Sequence, residues 1–181
     1  MAGGNQVRAG LALAVAVVAI SWSAILVRLA AAPALAIAFY RMLFSTVALA
    51  PVGLGRDRPL SRRDLGLATL AGTLLGLHFA AWISSLEFTT VASSVMLVTT
   101  QPLFTAVLGP FVLGERVGAR GGFAVLLSLA GIALIAGGDL QIGGRALLGD
   151  LLAVAGALTA SVYFMIGRVL RNRIRFTRYL L

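Results

Sequence analysis

The sequence contains no cysteine and no lysine, and only 12% of its 181 residues are charged. Without cysteine there is no disulfide framework, no thiol nucleophile and no cysteine-based metal site. Soluble domains carry about 25% charged residues, so a large water-exposed domain is excluded. What the chain has instead is apolar: 60% of its residues are hydrophobic, and its mean hydropathy is +0.99. The composition therefore indicates a polytopic membrane protein.

All 15 basic residues are arginine, and the formal net charge at pH 7 is +9. The arginines cluster between apolar segments, and such clusters set the orientation of a membrane protein. With a cytoplasmic N-terminus, twelve arginines lie on the inner side, whereas only Arg28 and Arg145 lie on the outer side. We therefore expect an integral protein of a bacterial inner (plasma) membrane with its N-terminus in the cytoplasm. A nucleic-acid partner is not expected, because no aromatic-interleaved basic face lies outside the membrane.

Six apolar segments are long enough to cross a bilayer, and they predict an all-α bundle of membrane-spanning helices. They cover residues 9–27, 33–51, 65–86, 89–115, 121–138 and 151–167. The domains expected from them are a cytoplasmic head (1–8), a five-helix unit (9–138), an external Gly-rich loop (139–149), a sixth helix (150–168) and an Arg-rich cytoplasmic tail (169–181).

The fourth segment carries polar residues at its centre, where Thr99, Thr100 and Gln101 precede Pro102. Pro102 removes a backbone hydrogen bond to the carbonyl of Val98 and predicts a helix kink. The threonines and the glutamine could then satisfy freed backbone groups or face a polar cavity. Two interpretations stay open, a kink packed inside a bundle and a broken helix that lines a transporter cavity.

Other polar candidates lie within the first two segments. Arg41 lies about eight residues into the second segment, where a guanidinium is costly and usually faces the protein interior, a partner or water. We expect a buried structural or functional role, and the alternative is that Arg41 extends towards the nearer interface. Ser21 and Trp22, near the end of the first segment, could line a cavity mouth, although Trp22 could equally anchor the helix at the interface.

The third segment contains His78, the only histidine. Helical spacing places it on one face with Ala71, Leu74, Trp82 and Ser85. Imidazole is the side chain that changes charge near physiological pH, so His78 is the candidate for proton coupling. The alternative is a neutral histidine that is hydrogen-bonded between helices.

Catalytic motifs are absent from the sequence. It contains no HExxH, no Gly-Lys-Ser phosphate loop and no histidine cluster for a metal. Ser85 lies seven residues from His78, about 10 Å along a helix, which is too far for direct activation of the hydroxyl. We expect no enzyme activity, no metal and no cofactor.

A set of longer stretches carries a family resemblance. They are WSAILVRLAAAPALAIAFYRMLF, GLHFAAWISSLEFTTVASSVMLVTTQPLFTAVLGPFVLGERV and the end of the fifth segment, IALIAGGD. Over roughly residues 10–140 these stretches resemble the EamA-type domain of the drug/metabolite transporter superfamily, as one five-helix repeat. Residues 150–168, DLLAVAGALTASVYFMIGR, resemble the first helix of a second repeat.

The resemblance implies ten helices in two inverted five-helix repeats around a central substrate cavity. It implies secondary transport by alternating access, usually export of small metabolites or drugs, and often coupling to protons. Its expected partners are the lipid bilayer and a small-molecule substrate. The positions it places towards the cavity or its supporting shell are Arg41, His78, Trp82, Thr100 and Gln101.

The sequence departs from this family in ending after six predicted spans. From this we expect a truncated chain that is inactive alone and that needs the missing second repeat or a second chain. A split transporter and a homo-oligomer are the alternatives to truncation. The alternative function is a non-transporting membrane bundle or assembly subunit that pairs with a second chain.

Overall fold

The computed structural model describes residues 2–53, 61–114 and 118–171, with the backbone alone at 2–6, 8–9, 52–53 and 140–142. Every regular element in these ranges is an α-helix, and the elements are α1 (Ala2–Leu29), α2 (Ala34–Gly53), α3 (Arg62–Ser85), α4 (Val91–Val98), α5 (Gln101–Val112), α6 (Ala119–Ile142) and α7 (Gly144–Leu170). Six spans in the described part, with α4 and α5 forming one of them, are long and apolar enough to cross a membrane. The predicted class, an all-α membrane bundle, is confirmed. The predicted turn at 115–116, the arginines at 56 and 58 and most of the Arg-rich tail lie outside the described residues.

The chain divides into two compact units, Met1–Ala32 and Pro33–Leu181. The first unit contains α1, and most of its described side chains are exposed. The second unit contains α2 to α7 and holds most of the candidate site.

The main packing seam of the second unit lies between α3 and α7. Ala71 of α3 meets Ile166 and Leu170 of α7 in a buried cluster. Further along the seam, a Cβ atom added at Gly156 would lie 3.4 Å from the Cβ of Trp82, so the two helix backbones approach closely. Helix association in lipid depends on close packing and interhelical hydrogen bonds, and small residues permit both.

Side chains that bind backbone groups fix the starts of three helices. The Ser61 hydroxyl accepts a hydrogen bond from the Asp64 N–H (3.1 Å) and so caps α3. The Thr90 hydroxyl caps α4 in the same way through the Ser93 N–H (3.0 Å). Glu87, just after α3, accepts from the Ala34 N–H (3.2 Å) and ties the start of α2 to the end of α3. Each cap satisfies a backbone donor that has no partner inside its helix.

A single residue joins α6 to α7. Helix α6 runs to Ile142 and α7 begins at Gly144, so only Gly143 lies between them. Gly143 has φ 137° and ψ 161°, a conformation open to glycine and strained for other residues. The structure therefore has helix where the sequence suggested a Gly-rich loop over 139–149, because both helices extend past their apolar cores. The external position of this segment stays a prediction.

Candidate functional site

An arginine and three aromatic rings meet between α2 and α3. The guanidinium carbon of Arg41 lies 4.4 Å from the centroid of the Phe79 ring and 5.7 Å from that of Trp82. Both distances fall within the range of cation–π attraction, about 6 Å. The Phe79 ring in turn lies 4.8 Å from that of His78. The charge of Arg41 therefore faces the aromatic surface of α3 inside a membrane-spanning segment.

His78 is buried and connects α3 to α7. Its Nδ1 lies 2.9 Å from the carbonyl oxygen of Gly156. A carbonyl can only accept, so Nδ1 carries the hydrogen and donates it. The imidazole stacks on Trp82 with ring centroids 6.2 Å apart and an interplanar angle of 9°. This is the geometry of a histidine hydrogen-bonded between helices, and it leaves Nε2 as the ring's acceptor.

Trp82 completes this group, which we call the Arg–aromatic cluster: Arg41, His78, Phe79 and Trp82. Trp82 is 7% exposed, and its indole Nε1 is buried without a hydrogen-bond partner in the described part of the chain. Phe79 was not among the residues predicted from the sequence. The available signal was its spacing, since Phe79 lies three residues before Trp82 and so falls on the adjacent turn of the same helix.

The helix break in the fourth span lies where the sequence predicts a kink. Helix α4 ends at Val98 and α5 starts at Gln101, with Pro102 in its first turn. Three backbone carbonyls around the break accept hydrogen bonds from hydroxyls. Thr99 and Thr100 donate to the carbonyls of the residues three positions earlier (2.8 and 2.7 Å), and Ser161 of α7 donates to that of Gln101 (3.2 Å). The threonines thus bind the carbonyls of Met96 and Leu97 in the last turn of α4, and Ser161 joins the break to α7.

The structure brings together only some of the candidates from the sequence. Arg41, His78 and Trp82 share one cluster, whereas the described contacts of Thr99, Thr100 and Gln101 lie within the break and with α7. Ser21 and Trp22 belong to the separate first unit. There the Ser21 hydroxyl donates to the carbonyl of Val17 (2.8 Å), and Trp22 is exposed.

A second polar group, also not predicted from the sequence, lies where α6 meets α7. The Thr89 hydroxyl is 3.1 Å from Asp139 Oδ2 and 2.9 Å from Asp150 Oδ1. All three residues are buried. Asp139 was expected at the start of an external loop (139–149) and Asp150 at the start of the sixth helix (150–168), so nothing suggested that they meet. The one usable signal was that each adjoins an apolar span.

Six apolar helices of membrane-spanning length in the described part of the chain define an integral membrane protein, and Arg41 and His78 lie within its spans. The sequence model of the EamA-like transporter family matches residues 9–137, well over half of the chain. The protein therefore belongs to the EamA-like transporter family, a family of membrane transporters rather than enzymes, which confirms the resemblance. A search of the curated proteins and a search of the solved structures each found no match. The matched range covers most of α1, all of α2 to α5 and most of α6, and α7 lies beyond it.

Proposed function

We propose that the protein is a secondary transporter that exports small molecules by alternating access, with Arg41, His78 and Trp82 at its substrate site. The observation that carries the proposal is the position of Arg41 over Phe79 and Trp82 within the spans. An arginine at mid-helix raises the free energy of membrane insertion by roughly 2.5–3.5 kcal/mol. A bundle with a purely structural role has little use for such a residue, whereas a transporter uses it to bind its cargo.

The donors of the Arg–aromatic cluster favour a substrate that carries hydrogen-bond acceptors. The guanidinium of Arg41 and the indole N–H of Trp82 both donate and cannot accept. Arginine is also the side chain best suited to hold a carboxylate with two parallel hydrogen bonds. The adjacent rings of Phe79 and Trp82 offer faces on which an apolar or aromatic group can pack. The proposed substrate class is therefore an organic anion with an apolar body.

The break between α4 and α5 supports the alternating-access part of the proposal. Discontinuous helices are common near the substrate sites of secondary transporters, where irregular backbone lines a cavity. Here the hydroxyls of Thr99 and Thr100 hold the carbonyls of the last turn of α4. Such bonds can exchange for water or substrate when the helices move, so we assign Thr99, Thr100 and Gln101 to the gating segment.

His78 is the proposed proton-coupling residue within this scheme. The Nδ1–H bond to Gly156 selects the tautomer of the neutral ring, and the Nε2 lone pair of that tautomer is the position that a proton would occupy. Replacing His78 with Asn keeps a donor near the place of Nδ1 but removes the titratable ring. We expect transport by H78N to persist with a flattened pH profile, whereas H78A should lose transport. An unchanged pH profile in H78N would exclude coupling through His78.

A second five-helix repeat, on this polypeptide or on a second chain, is proposed to form the other wall of the cavity. The family resemblance supports it. The arginine distribution separately predicts a cytoplasmic N-terminus. In that orientation Gly144 faces outwards. A G144C variant of this cysteine-free chain should react with a membrane-impermeant maleimide in intact cells. Reaction only after the cells are opened would reverse the orientation.

The transport proposal is tested by efflux of radiolabelled aromatic carboxylates from preloaded cells. The chain is expressed alone and together with a second-repeat polypeptide, and membrane abundance is measured in parallel. We expect R41Q to lower the efflux rate by about tenfold, equivalent to ~1.4 kcal/mol. The matched control is R120Q at the exposed start of α6, which should behave as wild type. Wild-type efflux by R41Q, or no efflux in either form of expression, would contradict the proposal.

A further inference from the structure

Three buried polar residues from three segments meet at the junction of α6 and α7. Asp139 lies in the last turn of α6, Asp150 lies in the second turn of α7, and Thr89 lies between α3 and α4. Their exposed fractions are 5%, 3% and 4%. The Thr89 hydroxyl lies between the two carboxyl groups, 3.1 Å from one and 2.9 Å from the other. We call these three residues the Asp–Thr–Asp cluster.

The position of Thr89 is fixed by the backbone of α7. A Cβ atom added at Gly149 would lie 2.7 Å from both the Cβ and the backbone nitrogen of Thr89. Only a residue without a side chain can therefore stand at this point of the helix. The next residue along the helix is Asp150. The close contact between Gly149 and Thr89 therefore also places the Thr89 hydroxyl beside the Asp150 carboxyl group.

The hydrogen-bonding groups of the cluster do not balance if both carboxyl groups are ionised. A hydroxyl carries one hydrogen and can donate it to one carboxylate at a time. The second oxygen of Asp150, Oδ2, is buried and has no hydrogen-bond partner in the part of the chain that the structure describes. A buried, ionised oxygen without a donor is strongly unfavourable. Protonation of Asp150 neutralises this oxygen, and a proton on either oxygen that faces the hydroxyl, Asp139 Oδ2 or Asp150 Oδ1, supplies a second donor.

The charged groups nearby are directed elsewhere. Glu87 accepts a hydrogen bond from the Ala34 N–H at the start of α2. Arg145, in the first turn of α7, holds its guanidinium 5.5 Å from the centroid of the Phe88 ring. Neither residue has a contact with the two aspartates among the described hydrogen bonds. The cluster is therefore a pair of acids bridged by one neutral hydroxyl.

We propose that Asp139, Thr89 and Asp150 form an exchangeable proton site, in which the two carboxyl groups share one proton across the Thr89 hydroxyl. Among the described residues, no group of three or more His, Cys, Asp or Glu side chains lies together as a metal site requires. Release of the proton leaves two negative charges on either side of one hydroxyl, and their repulsion loosens the junction of α6, α7 and the α3–α4 segment. The site uses neither Arg41 nor His78 and is independent of the proposed transport.

The chain is well suited to a direct test, because it contains only four aspartates, Asp57, Asp64, Asp139 and Asp150. The full chain is labelled with ¹³C at the aspartate carboxyl carbons and titrated in detergent by NMR. Single Asp→Asn variants assign the four signals. We expect Asp139 and Asp150 to titrate together as a coupled pair that still holds one proton at neutral pH, and Asp64, which lies outside the cluster at the start of α3, serves as the reference.

Variants of the bridging hydroxyl separate a proton site from simple burial. T89V keeps the shape of the side chain and removes the hydroxyl, so it should move the midpoint of the coupled step by about one pH unit. T89S should restore the midpoint, and D64N should leave it unchanged. Two fully ionised, independent carboxylates at neutral pH would overturn the proposal. A midpoint that changes when sodium replaces choline at constant ionic strength would also overturn it, in favour of a sodium site.

Discussion

Helices α6 and α7 are alike in composition and different in packing. Both are rich in glycine and alanine and both are long enough to span a membrane. Yet α7 buries eleven residues, whereas Asp139 is the one buried residue of α6 among those whose side chains are described. The small residues of α7 recur every three or four positions at Gly149, Ala153 and Gly156. Gly156 meets α3, and Gly149 meets Thr89 in the segment that follows α3. At Gly131 and Gly137 of α6, an added Cβ would have nothing within 4 Å.

The comparison shows that α7 positions polar groups of α3, of the break before α5 and of the segment between α3 and α4. The carbonyl of Gly156 holds His78, the hydroxyl of Ser161 holds the helix break, and Asp150 binds Thr89. All three anchors belong to α7, which lies beyond the range matched by the family model. The candidate site of the matched range is therefore positioned by a helix outside that range, which the sequence predicted to begin a second repeat.

The largest expected difference between the two helices is at glycine. G149A places a methyl group 2.7 Å from the backbone nitrogen of Thr89, so the seam must open. We expect its free energy of unfolding to fall by about 2–3 kcal/mol. G137A on α6 meets open space and should be neutral or slightly stabilising, because alanine favours helix. SDS titration of each variant in mixed micelles measures the free energy of unfolding. Equal changes in G149A and G137A would contradict the difference in packing between α6 and α7.

A smaller effect is expected from truncating leucine. Leu170 of α7 is fully buried, whereas Leu134 of α6 is 78% exposed. L170A leaves a cavity beside Ala71 and Ile166 and should reduce the free energy of unfolding by about 1–2 kcal/mol. This is less than in a soluble core, since lipid is as apolar as leucine. L134A should change it little. A loss from L134A as large as that from L170A would mean that α6 is also packed in the monomer.

The smallest effect is expected at serine. The Ser161 hydroxyl of α7 lies 3.2 Å from the Gln101 carbonyl and 2.8 Å from the Thr105 hydroxyl. S161A should reduce the free energy of unfolding by about 0.6 kcal/mol, the usual value for a side-chain hydrogen bond between membrane helices. S128A, in the middle of α6, is the matched control and should fall within experimental error. Replicate SDS titrations distinguish S161A from S128A. A larger loss of unfolding free energy in S128A than in S161A would contradict the assigned role of Ser161.

Hydropathy alone predicted the helical class and the six spans, because a bilayer requires about 20 apolar residues for each crossing. The break in the fourth span was also accessible, since Pro102 cannot take part in a regular backbone ladder. Helical spacing placed His78 and Trp82 on one face of α3, and both are buried. These features depend on local sequence, and local sequence was sufficient for them.

Features that depend on which helices meet could not be predicted. Helices α6 and α7 have similar composition and length, so nothing in the sequence indicated that α7 rather than α6 would pack along α3. Phe79 was missed because its role depends on Arg41 of another helix. The Asp–Thr–Asp cluster was missed because its members lie up to 61 positions apart, and because Asp139 was assigned to a loop.

The central claim is that α7 packs against α3 and holds the candidate site, and a disulfide tests it most directly. An ideal Cβ at Gly156 lies 3.4 Å from the Cβ of Trp82, close to the separation of about 3.8 Å found in disulfides. In this cysteine-free chain, a W82C/G156C variant should form an intramolecular disulfide in membranes on mild oxidation, scored by loss of maleimide-polymer labelling. The control W82C/G137C should stay reduced. A W82C/G156C pair that remains reduced, or a control that oxidises equally fast, would contradict the account.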